Sequence, residues 1–339
     1  MTEIPQSEAR IKFYQTGTFT VGNRLLDSAQ RTVQASVERA NALDSGHRAC
    51  QGCGEALGAR YAVDAALRAA GNKLIAANAT GCLEVFTTPY PETAWKLPWI
   101  HSVFGNAPAV GAGIAAALKA KSRDDVRVIA QGGDGGTTDI GFGCLSGMFD
   151  RNDDVLYVCY NNQAYMNTGV QRSSQTPPAA RTATTEAVGP EPGNPFHVGK
   201  SVPLIAIAHG IPYVATASVH DLHDLERKIT KAMGYHGARY VEIFVPCPLG
   251  WRSAPADTLK VARLAVETGM FPLLEAEDGE LKAVTKIRRR RPVEEYLKLQ
   301  GRFAHVFKPE NAHELEGLRA IAAGNILRFD LMAGTEDAS

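Results

Sequence analysis

Val126-Arg-Val-Ile-Ala-Gln-Gly-Gly-Asp-Gly-Gly136 and Val155-Leu-Tyr-Val-Cys-Tyr-Asn-Asn162 decide the fold. The apolar run 126–130 reads as a strand that opens directly into a glycine turn. Residues 141–150 read as a helix and 155–160 as the next strand, so the order strand, turn, helix, strand makes a βαβ unit with a parallel pair. Gly133-Asp134-Gly135 and Asn161-Asn162 are separated by 25 residues, and both fall at the C-terminal ends of neighbouring strands. In an open α/β sheet that edge is where ligands bind. Glycines let the backbone approach a diphosphate, and a following helix offers N–H groups to it. Asp134 supplies a carboxylate oxygen, Asn162 an amide oxygen, and a nearby backbone carbonyl such as that of Ala164 a third, a set suited to Mg²⁺ completed by phosphates and water. The plainer reading is a strand–turn–helix with Asp134 as a cap and the asparagines in a turn.

The same alternation extends outward from this unit. Helices are expected over 54–70, 106–120, 203–209, 221–233 and 256–268, and strands over 73–77, 213–216 and 240–245. Asp278-Gly279 marks a hairpin. Two more helices are expected over 293–301 and 312–327, and an N-terminal helix over 25–43. Residues 168–200 hold five prolines and little periodicity, the character of a functional loop. The expected architecture is a doubly wound, mostly parallel α/β sheet over 47–275, preceded by an N-terminal arm, 1–46, and followed by a C-terminal extension, 276–339.

Composition narrows the function. Lys+Arg and Asp+Glu are both 36 in 339 residues, which argues against a nucleic-acid binder, since such proteins need surplus cationic charge. Apolar residues make up 45 % and charged residues 21 %, enough for an ordinary globular core. No run of apolar residues reaches membrane-span length, and the first ten residues lack an apolar signal core, so a cytoplasmic location is expected. The six cysteines are too sparse for a disulfide scaffold. Cys50-Gln-Gly-Cys53 alone is ambiguous between zinc, a redox dithiol and an iron–sulfur cluster.

The spacing of Gly133-Asp134-Gly135 and Asn161-Asn162 is similar to the thiamine diphosphate signature. The continuation Asn161-Asn-Gln-Ala-Tyr-Met-Asn-Thr-Gly-Val-Gln171 resembles the β subunit of the 2-oxoacid:ferredoxin oxidoreductases, the family that includes pyruvate synthase. The resemblance implies Mg²⁺ ligands at Asp134, Asn162 and the Ala164 carbonyl, and cofactor contacts at Gly133 and Gly135. It also implies that Asn167, Thr168 and Gly169 face cofactor and substrate. His101-Ser-Val-Phe-Gly-Asn106 is similar to a family segment near the thiazolium side, which makes His101 a candidate catalytic residue; the bland alternative is a helix-leading loop.

The cysteines sort in the same way. His47-Arg-Ala-Cys-Gln-Gly-Cys-Gly54, Ala79-Thr-Gly-Cys82 and Pro246-Cys-Pro-Leu-Gly-Trp251 resemble the family's cluster-ligand segments. Cys50, Cys53, Cys82 and Cys247 are thus implied ligands of a [4Fe–4S] cluster, with Cys144 and Cys159 left as core thiols. Structural zinc is the competing reading.

The implied activity is oxidative decarboxylation of a 2-oxoacid, pyruvate or an aryl acid such as phenylglyoxylate, to acyl-CoA and CO₂, with one-electron transfer to the cluster. A single ligand-binding edge is expected here, so a partner chain is implied to activate the aminopyrimidine, and the chain is expected to be inactive alone. The implied partners are α-, γ- and δ-type subunits, with coenzyme A as co-substrate and ferredoxin or another acceptor as the electron outlet. The basic run 286–291 is read as a docking patch or, more plainly, a solvated face. Two other functions compete: a non-oxidative thiamine diphosphate decarboxylase or carboligase subunit, and a zinc-stabilised structural subunit.

Overall fold

A computed structural model describes residues 41–44, 46–88, 93–189 and 191–333. The chain divides into two units, Met1–Asn41 and Ala42–Ser339. Of the first unit only Asn41 is described, so the helix expected over 25–43 lies outside the described residues except at 41–43, where Leu43 instead forms an isolated β-bridge with Trp95.

The larger unit runs α1 (Gly54–Ala69), β1 (Leu74–Ala79), α2 (Cys82–Thr87), β2 (Trp99–Ser102), α3 (Ala107–Ala120), β3 (Arg127–Gly133), α4 (Phe142–Asp150), β4 (Leu156–Asn161), α5 (Val202–Ala208), β5 (Tyr213–Ser218), α6 (Leu222–Gly234) and β6 (Arg239–Phe244). It continues with α7 (Pro248–Trp251), α8 (Thr258–Glu267), β7 (Leu274–Glu277), β8 (Glu280–Val284), α9 (Val293–Leu297) and α10 (Ala312–Arg328). The eight strands form one sheet in the order β2-β1-β3-β4-β6-β5-β7-β8. The first six are parallel, and β7 and β8 close the edge antiparallel. The expected doubly wound, mostly parallel sheet is therefore present.

The central strands are buried at every position on both faces, so β4, β5 and β6 lack the polar–apolar alternation of a half-exposed strand, and the polar residues in them, Glu242 among them, are buried. Val128, Leu145, Phe149, Val155, Tyr157 and Tyr240 form the core beneath helices α3 and α4. The chain turns back between β1 and β3: β2 lies to one side of β1, and every later strand lies beyond β3. This reversal opens a crevice at the strand C-termini.

Helices α2 and α7 are not among the expected elements, and three further local features depart from those elements. The helix expected to follow the glycine turn begins as a π-helical turn, Gly136–Ile140, before α4; such turns recur at functional sites. The expected helix over 293–301 stops at Leu297, and a 3₁₀ turn, Gly301–Phe307, follows. The break is tertiary in origin: Gly301 donates its N–H to Arg252 O at 3.1 Å instead of continuing the helix. Strand β2, unforeseen in the sequence, pairs on the outer edge of β1 with Ile100 and His101 exposed, so it lacks a buried strand's apolar pattern. The Asp278-Gly279 hairpin forms as expected, both residues at positive φ, 49° and 80°.

Candidate active site

Four strand ends meet at the crevice. Thr80-Gly81-Cys82 follows β1, Asp134 follows β3, Asn162 follows β4, and Cys247 follows β6 by three residues. Because the strands are parallel, residues more than a hundred positions apart are brought to one edge.

Asp134 is fully buried. Its Oδ1 accepts from the Asn162 N–H at 3.2 Å, and its Oδ2 accepts from the Ser173 hydroxyl at 2.5 Å. Burial pushes its carboxyl up to about 8, against the opposing pull of those two donors. Asn162 is also buried, and its Nδ2 donates to Glu55 Oε2 at 3.0 Å. Its Oδ1 is buried and has no hydrogen-bond partner. An orphaned acceptor beside a buried carboxylate is costly unless a cation or donor occupies the space between them.

The residue between the candidate ligands sets their direction. Gln163 has φ +64°, which turns the chain sharply so that Asn162 and Ala164 both face the cavity. Gly135 lies against Tyr165: a Cβ there would stand 2.6 Å from the ring, whose hydroxyl donates to Gly135 O at 2.9 Å. A short hairpin follows, held by the Tyr165–Gln171 bridge, and Asn167, Thr168 and Gly169 lie exposed at its tip. Asn167 and Thr168 line the cavity mouth. His101 stands one layer back, within 2.8 Å of Thr80 Oγ1, and Thr80 itself lines the cavity.

Glu55 is the cavity residue that sequence reasoning missed. It lies in the first turn of α1, buried, and burial pushes its carboxyl up to about 7, opposed by the Asn162 amide. An acid in a helix's first turn is ordinary, so only its position directly after Cys53-Gly54 could have marked it. Ser173 was missed as well, since nothing in its sequence context points to Asp134.

The four cysteines converge beside this cavity. All are free thiols. Burial raises the Cys82 thiol, and the neighbouring Glu55, Cys247, Cys53 and Cys50 raise it further. Burial likewise pushes Cys53 up to about 12. Cys53 and Cys247 each cap a helix start, accepting from Ala56 N–H and Gly250 N–H at 3.4 Å. Gly52, at φ +71°, carries the CxxC turn past Pro255, where a Cβ would stand 2.5 Å from the carbonyl oxygen. Among the described residues, no three His, Cys, Asp or Glu side chains stand at metal-binding geometry. Cys159 is buried within β4, and Cys144 lies in the first turn of α4.

The fold and site define a thiamine-diphosphate-type α/β enzyme domain, with a glycine turn for a diphosphate and a buried aspartate–asparagine pair on adjacent strands. Residues 79–243 match the family described as "Thiamine pyrophosphate enzyme, C-terminal TPP binding domain". Pyruvate synthase subunit PorB of Methanosarcina barkeri is 49 % identical over 291 residues, 85 % of this chain and 97 % of that one. Ketoisovalerate oxidoreductase subunit VorB of Pyrococcus abyssi is 44 % identical over 278 residues, 78 % of this chain and 86 % of that one. A solved 2-oxoglutarate:ferredoxin oxidoreductase from Magnetococcus marinus, with 2-oxoglutarate, coenzyme A and succinyl-CoA bound, has a TM-score of 0.52 and 28 % identity, covering 66 % of this chain and 79 % of that one. The chain belongs to the 2-oxoacid:ferredoxin oxidoreductase family, as a β subunit of the pyruvate synthase kind. The 291 matched residues exceed the length of the expected sheet domain, 47–275, so the likeness runs past that domain.

Proposed function

We propose that this chain is the subunit that holds thiamine diphosphate, Mg²⁺ and a [4Fe–4S] cluster in a complex that converts a 2-oxoacid and coenzyme A to acyl-CoA and CO₂. The observation that carries the reading is the unpartnered, buried Asn162 Oδ1 beside the buried Asp134 carboxylate. Asp134, Asn162 Oδ1 and the Ala164 carbonyl are the donors Mg²⁺ requires, all oxygen and partly charged.

Thiamine diphosphate, when bound, supplies a carbon nucleophile at its thiazolium ring and an electron sink for decarboxylation. The chain's residues bind and orient around it. Gly133 and Gly135 let the backbone approach the diphosphate. Glu55 offers a buried carboxyl at the cavity wall, and Tyr165 packs edge-on against Phe104 at 6.1 Å to shield the site from water. Asn167, Thr168 and Gly169 form the mouth through which substrate enters, with His101 behind Thr80.

Cys50, Cys53, Cys82 and Cys247 form a thiol-only donor set, which suits iron–sulfur chemistry. The two backbone N–H groups directed at Cys53 and Cys247 would tune such a cluster by hydrogen bonding to sulfur. Pyruvate leads as the substrate because of the relatives, with an aryl 2-oxoacid as the alternative. Partner subunits of α, γ and δ type complete the site, ferredoxin or another acceptor takes the electrons, and the complex works in the cytoplasm. Among the described residues no helix is long and apolar enough to cross a membrane. The division at 46 and 275 into arm, cofactor domain and extension belongs to the same proposal.

Metal and cofactor analysis of the complex purified anaerobically tests this reading. Thiamine diphosphate, Mg²⁺ and about four irons per cluster, with a reduced-state EPR signal, are expected. Thiamine without iron would favour the non-oxidative decarboxylase, and zinc alone the scaffold.

A further inference from the structure

The C-terminal segment sends one side chain into the back of the site. Arg302, in the 3₁₀ turn after α9, is only 3 % exposed. Its Nη2 donates to Gln163 Oε1 at 2.5 Å, and Nη2 and Nε both donate to Gln300 Oε1, at 2.8 and 3.0 Å. Its guanidinium lies 3.8 Å from the centre of the Trp251 ring. Trp251 in turn donates its Nε1–H to the Asn162 carbonyl at 2.8 Å. No carboxylate pairs with Arg302 among the described salt bridges. A buried cation satisfied by two side-chain amides, the Tyr296 hydroxyl and the rings of Trp251 and Phe303, with no ion-paired carboxylate, is expensive to keep, which calls for a task that a smaller or neutral residue would not perform.

Gln163 is the residue at left-handed φ between the two proposed metal-ligand positions. Its N–H donates to Asn161 Oδ1 at 3.1 Å and its carbonyl accepts from Thr176 Oγ1 at 2.7 Å. Arg302 holds the remaining free end, the side chain. Arg302 and Trp251 therefore grip residues 162 and 163, and neither of them lines the cavity. We infer that Arg302 is a positioning residue: its guanidinium, fixed by a fork onto Gln300, holds Gln163 through Nη2 and locks that turn so that Asn162 Oδ1 and the Ala164 carbonyl are aimed at the same point as Asp134. The C-terminal segment is thus a built-in support for the Mg²⁺–diphosphate loop rather than an appendage. This inference rests on the proposed Mg²⁺ site.

The test is calorimetric titration of Mg²⁺ into the whole complex, stripped of metal and supplied with saturating thiamine diphosphate. Arg302→Met keeps the stem against Trp251 and removes the fork; Arg302→Lys keeps the charge without it. Each should weaken Mg²⁺ binding roughly 10–100-fold, the usual effect of losing a group that orients a ligand. Turnover at saturating Mg²⁺ should fall less than the half-saturating Mg²⁺ concentration rises. Gln163→Leu removes the acceptor instead of the donor and should reproduce the shift, with no further loss when combined with Arg302→Met. Should Arg302→Met fail to fold, Gln163→Leu decides alone. Mg²⁺ affinity within twofold of wild type in Gln163→Leu, or full retention in Arg302→Lys, overturns the inference. Asp134→Ala separates the two claims: if it abolishes Mg²⁺ binding while the Arg302 and Gln163 variants bind normally, only the positioning role fails. If Asp134→Ala binds Mg²⁺ normally, the metal site and the inference fall together.

Discussion

Asn162 donates Nδ2 to Glu55 Oε2 at 3.0 Å, so a residue at the end of β4 and one at the start of α1, 107 positions apart, form one wall of the cavity. This bond leaves only the Oδ1 side of the amide free, and Oδ1 is the atom without a partner. Glu55 thereby fixes the orientation of the Asn162 amide, leaving its oxygen as the free end.

Removing that orientation should be costly. Glu55→Met keeps much of the bulk and removes the acceptor for the Asn162 amide altogether. Leaving the buried Asn162 amide donor without its partner costs about 1–3 kcal/mol. Thiamine diphosphate affinity of the complex, followed by cofactor titration, should fall roughly 10–100-fold. Wild-type affinity would remove Glu55 from the site.

Asp134→Asn tests charge rather than shape. The amide oxygen can still accept from the Asn162 N–H, and the Ser173 hydroxyl can rotate to accept from the new NH₂, so the fold should survive, as circular dichroism would show. Mg²⁺-dependent cofactor retention should drop by at least about 100-fold, because the one anionic donor is gone. Retention of the cofactor after gel filtration in Mg²⁺ buffer would contradict the assignment.

Gly135→Ala should act through packing. Its Cβ would stand 2.6 Å from Tyr165, whose ring must then move, losing its bond to Gly135 O. Overpacking of this kind costs about 1–3 kcal/mol. The melting temperature should fall by several degrees and cofactor affinity with it; an unchanged crystal position for Tyr165 would be the contrary result.

The cysteines divide by position. Alanine at Cys53, Cys82 or Cys247 should remove the reduced-state EPR signal and most of the iron. Alanine at Cys144 or Cys159 should leave iron content unchanged, with a stability loss at Cys159 alone, since only that thiol is fully buried. Iron loss in the Cys144 variant would break the division.

Glu275 predicts a pH effect on stability. Burial opposes its ionisation, yet hydrogen bonds from Arg227, Tyr213 and Lys231 hold its carboxyl down at about 2. A depressed folded-state value means stability that is present above the unfolded carboxyl's pKa near 4.3 and is lost as pH falls toward 2. Glu275→Gln should therefore destabilise the complex by roughly 1–2 kcal/mol at pH 7, less than the lowered carboxyl pKa alone would give, because the Arg227 and Lys231 side chains are partly in solvent. The gap in melting temperature between variant and wild type should close between about pH 4.5 and 2. A gap that is constant with pH would mean that packing, not charge, is at work.

By itself the amino-acid sequence determined the βαβ unit, the ligand-binding edge and the chemistry of its donors. Unbroken apolar runs force strands buried on both faces, glycines between Gln131 and Thr137 force a turn open to a diphosphate, and Asp134 and Asn162 are read directly off that turn and the next strand end. The CxxC and two later cysteines were legible as candidates for the same reason, because each follows a strand or opens a helix. Tertiary structure alone decided who stands behind them. Glu55, Ser173 and Arg302 carry no local signal, since an acid in a helix's first turn, a serine in a loop and an arginine in a short turn are common. Their roles arise because parallel strands bring distant ends to one edge, where burial removes water and leaves each polar atom dependent on whichever partner the fold places beside it.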